Sequence, residues 1–253
     1  MSLIDLRGRS AVVTGGSRGV GRATAFLLAK SGANVGIGYR NREEDALEVV
    51  DRLCDFGVKA WAQQGDLSKS DDVNLLFERA DREFETLDFF IGNAGVWPSD
   101  GVPLTEMSES QWRNTMACNL DSIFYTSKEA ARRIQPGGAI VLVSSTAGQR
   151  GEAYHTDYAA SKGGIISFVK GLCVELAPKG ITVNAVAPGW VNTEMVCSVM
   201  EGDEKSQIEA TIPLGRIANA EDIAGPIVFL CSSLACHITG EILNVNGGAV
   251  LMG

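Results

Sequence analysis

An α/β doubly wound fold, a seven-stranded parallel sheet with helices on both faces, is the class this sequence predicts. Short runs of apolar and β-branched residues alternate with longer stretches of helical period along all 253 residues. Seven such strands with six helical segments between them need crossover connections, and crossovers make neighbouring strands parallel. Residues 139–144 (AIVLVS) are almost purely apolar, as a strand covered on both faces must be.

The elements follow in order. Residues 10–14 (SAVVT) read as a buried strand, and 19–31 as a helix with Ala, Phe and Leu at helical spacing. A second strand is expected at 34–39, a helix at 43–56 and a third strand at 58–64. Ser68 is placed to open the next helix, with Asp71 at the capping-box position. A strand at 87–92 precedes a long helix beginning at Ser108, where Gln111 takes the box position. After the apolar strand come a helix at 157–177, a strand at 181–187, a capped helix at 219–231 and a last strand at 241–245. No linker, repeat or low-complexity tract divides the chain, so one domain over 1–253 is expected. The least regular stretch, 191–213, is too long for a simple connection and is a candidate lid.

Composition narrows the function. The net charge of −9 argues against a nucleic-acid or anionic-membrane partner. That average hides a split. Residues 1–42 carry seven basic side chains against Asp5 alone, a balance of +6, and the remaining 211 residues sum to −15. The six cysteines include no C-x-x-C pair, and the two histidines, His155 and His237, are far apart, so no metal site is expected. Free thiols, no signal-peptide pattern and no apolar run near ~18 residues together predict a soluble cytoplasmic protein.

Between the first strand and the first helix stands Thr14-Gly15-Gly16-Ser17-Arg18-Gly19-Val20-Gly21. Glycines spaced G-x-x-x-G-x-G let backbone N–H groups and a helix N-terminus approach a pyrophosphate without a Cβ in the way. Strand before and helix after make this a dinucleotide loop of Rossmann type rather than a mere turn. The second strand ends in Tyr39-Arg40-Asn41-Arg42, with no acid until Glu43. An acidic residue there would hold a ribose 2′-hydroxyl, whereas arginine suits a 2′-phosphate. Arg18 and Arg40 could flank that phosphate, so NADP(H) is preferred and NAD(H) stays possible. Alternatively, Arg40 and Arg42 are solvated partners of Glu43, Glu44 and Asp45.

Tyr158-Ala-Ala-Ser-Lys162 puts a phenol and an ammonium on one helical face. A nearby lysine favours the phenolate and should bring the tyrosine's acidity toward neutral pH. Ser145 leaves the carboxyl end of the apolar strand, where open α/β sheets bind ligands. Ser144 is the competing hydroxyl, and the S-x-x-G pattern of 145–148 favours Ser145.

Over essentially its full length the chain resembles the short-chain dehydrogenase/reductases. The residues carrying this are Thr14–Gly21, Asp66-Leu67, Gly92-Asn93-Ala94-Gly95, Asn119, Ser145, Tyr158, Lys162 and Pro188-Gly189. The resemblance implies a general acid/base in Tyr158. Lys162 would lower its pKa and bind the nicotinamide ribose, Ser145 would bond the substrate carbonyl, and Asn119 would hold a relay water. It places Asp66 and Leu67 at the adenine and Asn93, Ala94 and Gly95 near the cofactor ribose. Pro188, Gly189, Val191 and Thr193 fall on the nicotinamide side, with Gly15, Ser17, Arg18, Gly19, Val20, Gly21, Tyr39 and Arg40 completing the cofactor contacts.

Within the family the chain is most similar to 3-oxoacyl-(acyl-carrier-protein) reductases of fatty acid biosynthesis, with glucose-type dehydrogenases next. The first likeness implies a thioester substrate, the second a small ketone or sugar. Lys179 fits a basic docking patch, but Pro136-Gly137-Gly138 and the −15 body argue against an acidic carrier protein as partner. The segment 149–155, Trp97 and Trp190 are candidate pocket walls, although both indoles could be packing residues. His155 reads as a loop surface residue. The resemblance also implies a homotetramer, with helices near 108–134 and 157–177 forming one face and the last strand another. Ala159, Ala160, Gly163 and Gly164 would permit close helix approach there. A regulatory subunit binding NADP(H) without turnover is the alternative of another class.

Overall fold

The computed structural model describes residues 3–196 and 203–252. Its strands are β1 (Ser10–Thr14), β2 (Asn34–Tyr39), β3 (Ala60–Gln64), β4 (Leu87–Gly92), β5 (Ile134–Val143), β6 (Thr182–Pro188) and β7 (Ile242–Val245). They form one sheet in the order β3-β2-β1-β4-β5-β6-β7, every neighbouring pair parallel. Helices α1 (Gly19–Lys30), α2 (Glu43–Cys54) and α3 (Ser70–Glu83) connect the first four strands. Then come α4 (Glu109–Met116), α5 (Ser122–Arg133), α6 (Thr146–Arg150), α7 (Thr156–Leu176), α8 (Asp203–Ala210) and α9 (Ala220–Leu230).

Strand periodicity splits the core into two layers. Ala11, Val13, Val35, Ile37, Phe89, Ile91 and Val141 face one way, against apolar residues of α1, α2 and α9. Val12, Phe90, Ile140 and Leu142 face the other, against α3, α5 and α7. Strand order reverses between β1 and β4, so a crevice opens at the carboxyl ends of these two strands. Among the described residues no helix is long and apolar enough to cross a membrane.

Several element expectations need correction. Ser68 does not open α3, which starts at Ser70 with no side-chain cap. Asp66 instead accepts the Ser68 hydroxyl and N–H, and Asp72 accepts the Asp66 N–H at 2.7 Å, so this stretch is a turn that fixes Asp66. At Ser108 the hydroxyl does accept the Gln111 N–H at 3.1 Å, but the Gln111 side chain turns inward to Asp157. The long helix behind it is interrupted by a π-turn at Ala117–Asp121.

Strand β5 begins at Ile134, five residues before the apolar run, because Pro136-Gly137-Gly138 lies within the strand where its register against β4 shifts. Gly138 has no room for a side chain, since a Cβ there would stand 2.3 Å from the Asp88 carbonyl oxygen. Helix α8 falls within 191–213, expected to be irregular, and α6 occupies a stretch to which no element was assigned. Gly163 and Gly164 are used within the chain: a Cβ on Gly163 would stand 3.2 Å from the Gly148 carbonyl oxygen, and one on Gly164 would lie 2.9 Å from Leu120.

Candidate active site

The crevice is a cleft of about 430 Å³, walled by residues from the ends of β1, β2, β4, β5 and β6. At its base, Thr14 joins the two strands that flank the reversal. Its hydroxyl accepts the Asn93 and Ala94 N–H groups, both at 3.0 Å, and the Asn93 amide donates to the Thr14 carbonyl at 2.9 Å. The Asn93 side chain therefore braces the loop, a task the sequence reading did not give it.

Backbone geometry explains the glycine loop. Gly15 and Gly19 sit at φ +66° and +53°, which favours glycine, and a Cβ on Gly21 would lie 2.2 Å from the Gly15 carbonyl oxygen. Gly21 thus supports the loop from behind, and it is not on the cleft wall. Arg18, the N-cap of α1, makes no side-chain cap bond, and the first turn holds no acid, so its N–H groups face the cleft end without a carboxylate competitor. The loop fits a pyrophosphate.

The far end of the cleft carries three arginines. Arg40 pairs with Asp66 at 3.2 Å and its Nη1 lies 3.6 Å from the Cys118 sulfur. Arg18 and Arg42 converge on Glu194, at 3.0 and 2.8 Å, and Arg42 also meets Asp45 at 3.1 Å. Of the surface pairings anticipated on the following helix, then, Arg42 with Asp45 forms, while Arg40 turns into the cleft instead. Burial pushes the Asp66 carboxyl up, but hydrogen bonds from Ser68 and the Arg40 charge outweigh it and leave the group below its ordinary range.

At the carboxyl end of β5 the two serines divide. Ser144 is buried and its hydroxyl donates to the Lys162 carbonyl at 2.8 Å, which removes it from chemistry. Ser145 caps α6, accepting the Ala147 N–H at 3.1 Å, and its hydroxyl stands on the cleft wall with the Tyr158 phenol, whose pKa it pulls down. Lys162 is buried, with Nζ 5.8 Å from the Tyr158 ring centre and donating to the Val143 carbonyl at 2.8 Å.

Burial pushes the Tyr158 phenol up to about 12 despite the lowering influence of Ser145, and Glu152 adds to the rise. The expected lowering by Lys162 is absent from this arrangement, because the ammonium is engaged by a carbonyl and desolvation dominates. Burial also brings the Lys162 ammonium down to about 8.

Asn119 is fully buried on the π-turn, behind the cleft wall. Its amide donates to the Val96 carbonyl at 2.9 Å and to Ser161 at 3.1 Å, and its oxygen accepts the Val96 N–H at 2.7 Å. The extra residue of a π-turn is a common way to aim a side chain at a functional site. A Cβ on Gly95 would lie 3.0 Å from the Asn119 oxygen and 3.4 Å from Lys162 Nζ, so all three groups meet at that glycine.

All other anticipated cofactor residues line the cleft: Gly15, Ser17, Arg18, Gly19, Val20, Tyr39, Arg40, Asp66, Leu67, Asn93, Ala94, Gly95, Pro188, Gly189, Val191 and Thr193. Of the candidate lid, Val191 and Thr193–Val196 lie on its wall, and 197–202 fall outside the described residues. Trp97 and Trp190 both line it as well, edge to face with ring centres 6.0 Å apart. His155 is not the surface residue expected: it is buried, packed on Trp97 at 4.8 Å. Of the segment 149–155, expected as a pocket wall, Arg150 and Glu152 line the cleft, and the sequence reading missed Cys118 there. Cys118 adjoins Asn119 and could have been found by adjacency.

Comparison with known proteins defines the class. The family profile described as Enoyl-(Acyl carrier protein) reductase matches residues 15–250. A curated relative named 3-oxoacyl-[acyl-carrier-protein] reductase FabG, from Staphylococcus aureus, is 37% identical over 95% of this chain and 97% of its own. A protein of the same name from Vibrio cholerae is 38% identical over 98% of this chain and 100% of its own. Among solved structures, a short-chain dehydrogenase from Burkholderia cenocepacia in complex with NADP superposes with a TM-score of 0.92 at 33% identity, covering 96% of this chain and 98% of that one. A Brucella melitensis protein titled Short-chain dehydrogenase/reductase SDR:Glucose/ribitol dehydrogenase gives 0.90 at 33% identity, covering 98% and 99%. This chain belongs to the short-chain dehydrogenase/reductase family. It is a nicotinamide-dependent oxidoreductase, and its relatives' names differ in the substrate they specify.

Proposed function

We propose that the protein is an NADP(H)-dependent carbonyl reductase, acting reversibly on the corresponding secondary alcohol. The meeting of Ser145, Tyr158 and Lys162 on one cleft wall at the carboxyl end of β5, with Lys162 Nζ 5.8 Å from the Tyr158 ring centre, is the observation that carries this reading. The bound nicotinamide supplies the hydride. Tyr158 protonates the substrate oxygen as negative charge grows there, and Ser145 donates to the same oxygen. A phenol kept protonated by burial is a ready donor for reduction. Lys162 provides positive charge behind it, and Asn119 with Val96 fixes the wall at Gly95.

NADP over NAD is supported by Arg18, Arg40 and Arg42 at the adenosine end. A 3-oxoacyl thioester is the substrate that the curated relatives' names support, and a hydroxylated ketone is the second reading, favoured by Arg150 and Glu152 in the cleft. The −15 balance outside 1–42 weighs against an acidic carrier protein as the thioester's bearer. One catalytic domain and a homotetramer complete the proposal. The test is NADPH consumption with a panel of ketones and 3-oxoacyl thioesters. Turnover of at least one is expected, and tight NADPH binding with no turnover of any would favour a regulatory subunit.

A further inference from the structure

Glu152 has no role in the chemistry above, yet its half-buried carboxyl lines the cleft beside Tyr158. Among the described residues it meets no hydrogen-bond or ion-pair partner through its side chain. Desolvation raises its pKa, against the lowering influence of His155 and Arg150. The backbone that follows it is held at a cost at Tyr154, whose φ of +66° is the only positive value outside glycine among the described residues. The Tyr154 carbonyl accepts the Val102 N–H at 2.8 Å, pinning this segment to the loop that follows Trp97. Strain of this kind in a non-glycine residue persists where surrounding contacts fix it, and it clusters at ligand sites.

The neighbours of Glu152 set what would bind. His155 packs on Trp97, and Trp97 meets Trp190 at an interplanar angle of 81°, so two indoles form a corner on the cleft wall. Arg150 lines the same cleft and has no ion pair among the described residues.

We propose that Glu152 is a specificity-determining residue that accepts a hydrogen bond from a substrate hydroxyl close to the reacting carbonyl, while the C–H face of the substrate lies against the indole corner. The inference rests on the carbonyl-reductase reading and narrows its substrate to a hydroxylated ketone. A hydroxyl both donates, to Glu152, and accepts, from Arg150. An ammonium in its place would be repelled by Arg150. A plain alkyl chain would cover the carboxyl without satisfying it, and an unsatisfied buried polar group is costly.

The test uses the whole enzyme with NADPH and a matched pair, 2-hydroxycyclohexanone and 2-methylcyclohexanone, with an acetoacetyl thioester of N-acetylcysteamine as third substrate. The wild type should prefer the hydroxyketone in kcat/KM by about 30-fold, which corresponds to about 2 kcal/mol at 1.4 kcal/mol per decade. Glu152→Ala should reduce that preference to about threefold or less, the hydroxyketone losing its advantage over the methyl analogue. Glu152→Gln, which keeps an acceptor of the same shape, should retain part of the preference and guards against a folding defect. Equal use of the two ketones by the wild type, a preference for the thioester over both, or an unchanged ratio in Glu152→Ala would each overturn the inference while leaving carbonyl reduction intact. No turnover of any of the three, with NADPH bound, would overturn the parent reading together with this one.

Discussion

At the scale of single residues, the same burial acts oppositely on Tyr158 and Lys162, and this fixes the expected pH behaviour. The phenol, pushed up to about 12, stays protonated across the working range. The ammonium, brought down to about 8, loses its charge above that pH. For carbonyl reduction kcat/KM should therefore be flat from about pH 6 to 8 and fall as Lys162 deprotonates. Initial rates with NADPH at constant ionic strength measure this, and a rate that rises above pH 8 would remove Lys162 from its assigned part. Much at this scale was readable in advance. The four-residue spacing of Tyr158 and Lys162 is a helical neighbour relation, and Ser145 follows directly from the end of a buried strand. Two points were not. The Lys162 Nζ contact with the Val143 carbonyl depends on where two distant segments pack, as does the burial of His155 under Trp97.

At the scale of elements, the loop between β1 and α1 is the part most exposed to a small change. Gly21→Ala would drive a methyl group to 2.2 Å from the Gly15 carbonyl oxygen and 2.6 Å from the Asn93 amide, the brace between β1 and β4. The loop must then move, and NADPH affinity should fall by more than about tenfold, with a stability loss on the order of 1–3 kcal/mol. Fluorescence titration with NADPH and chemical denaturation read the two effects, and unchanged affinity would dissociate this loop from the cofactor. The strand–glycine–helix order here was legible because local chemistry dictates it. The π-turn at Ala117–Asp121 was not, since nothing in ACNLD differs in composition from α-helix; it is the packing of Asn119 on Val96 that absorbs the extra residue. Likewise Pro136-Gly137-Gly138 reads as a turn, and only the register shift against β4 shows it as the start of β5.

At the scale of the whole molecule, the uneven charge has a spatial meaning. The segment 1–42, with a balance of +6, brings Arg18, Arg40 and Arg42 to the adenosine end of the cleft, where each meets a carboxylate from elsewhere in the chain or the next helix. Arg7 pairs with Asp5 and Arg9 with the buried Asp88, so part of the excess is structural. Arg40→Ala should weaken NADPH binding by about tenfold or more, and NADH binding by no more than about twofold, because a charge-assisted bond to a phosphate is the strong kind. Equal effects on both, measured by titration, would argue against a 2′-phosphate contact. The sheet was legible at this scale, since seven short apolar strands with helical crossovers leave few alternatives. The order of strands was not, because a sequence pattern does not say on which side of β1 a later strand adds. That order sets the crevice between β1 and β4, and so the place of every residue discussed.

Proton transfer by Tyr158, at a site assembled by this fold, is checked by Tyr158→Phe. Steady-state NADPH oxidation should be measured with the best carbonyl substrate, alongside the NADPH dissociation constant. Loss of the phenol should lower kcat by about 10²–10⁴-fold while the dissociation constant stays within about threefold of wild type. Retention of near-full activity with intact cofactor binding would assign proton transfer to a group other than Tyr158.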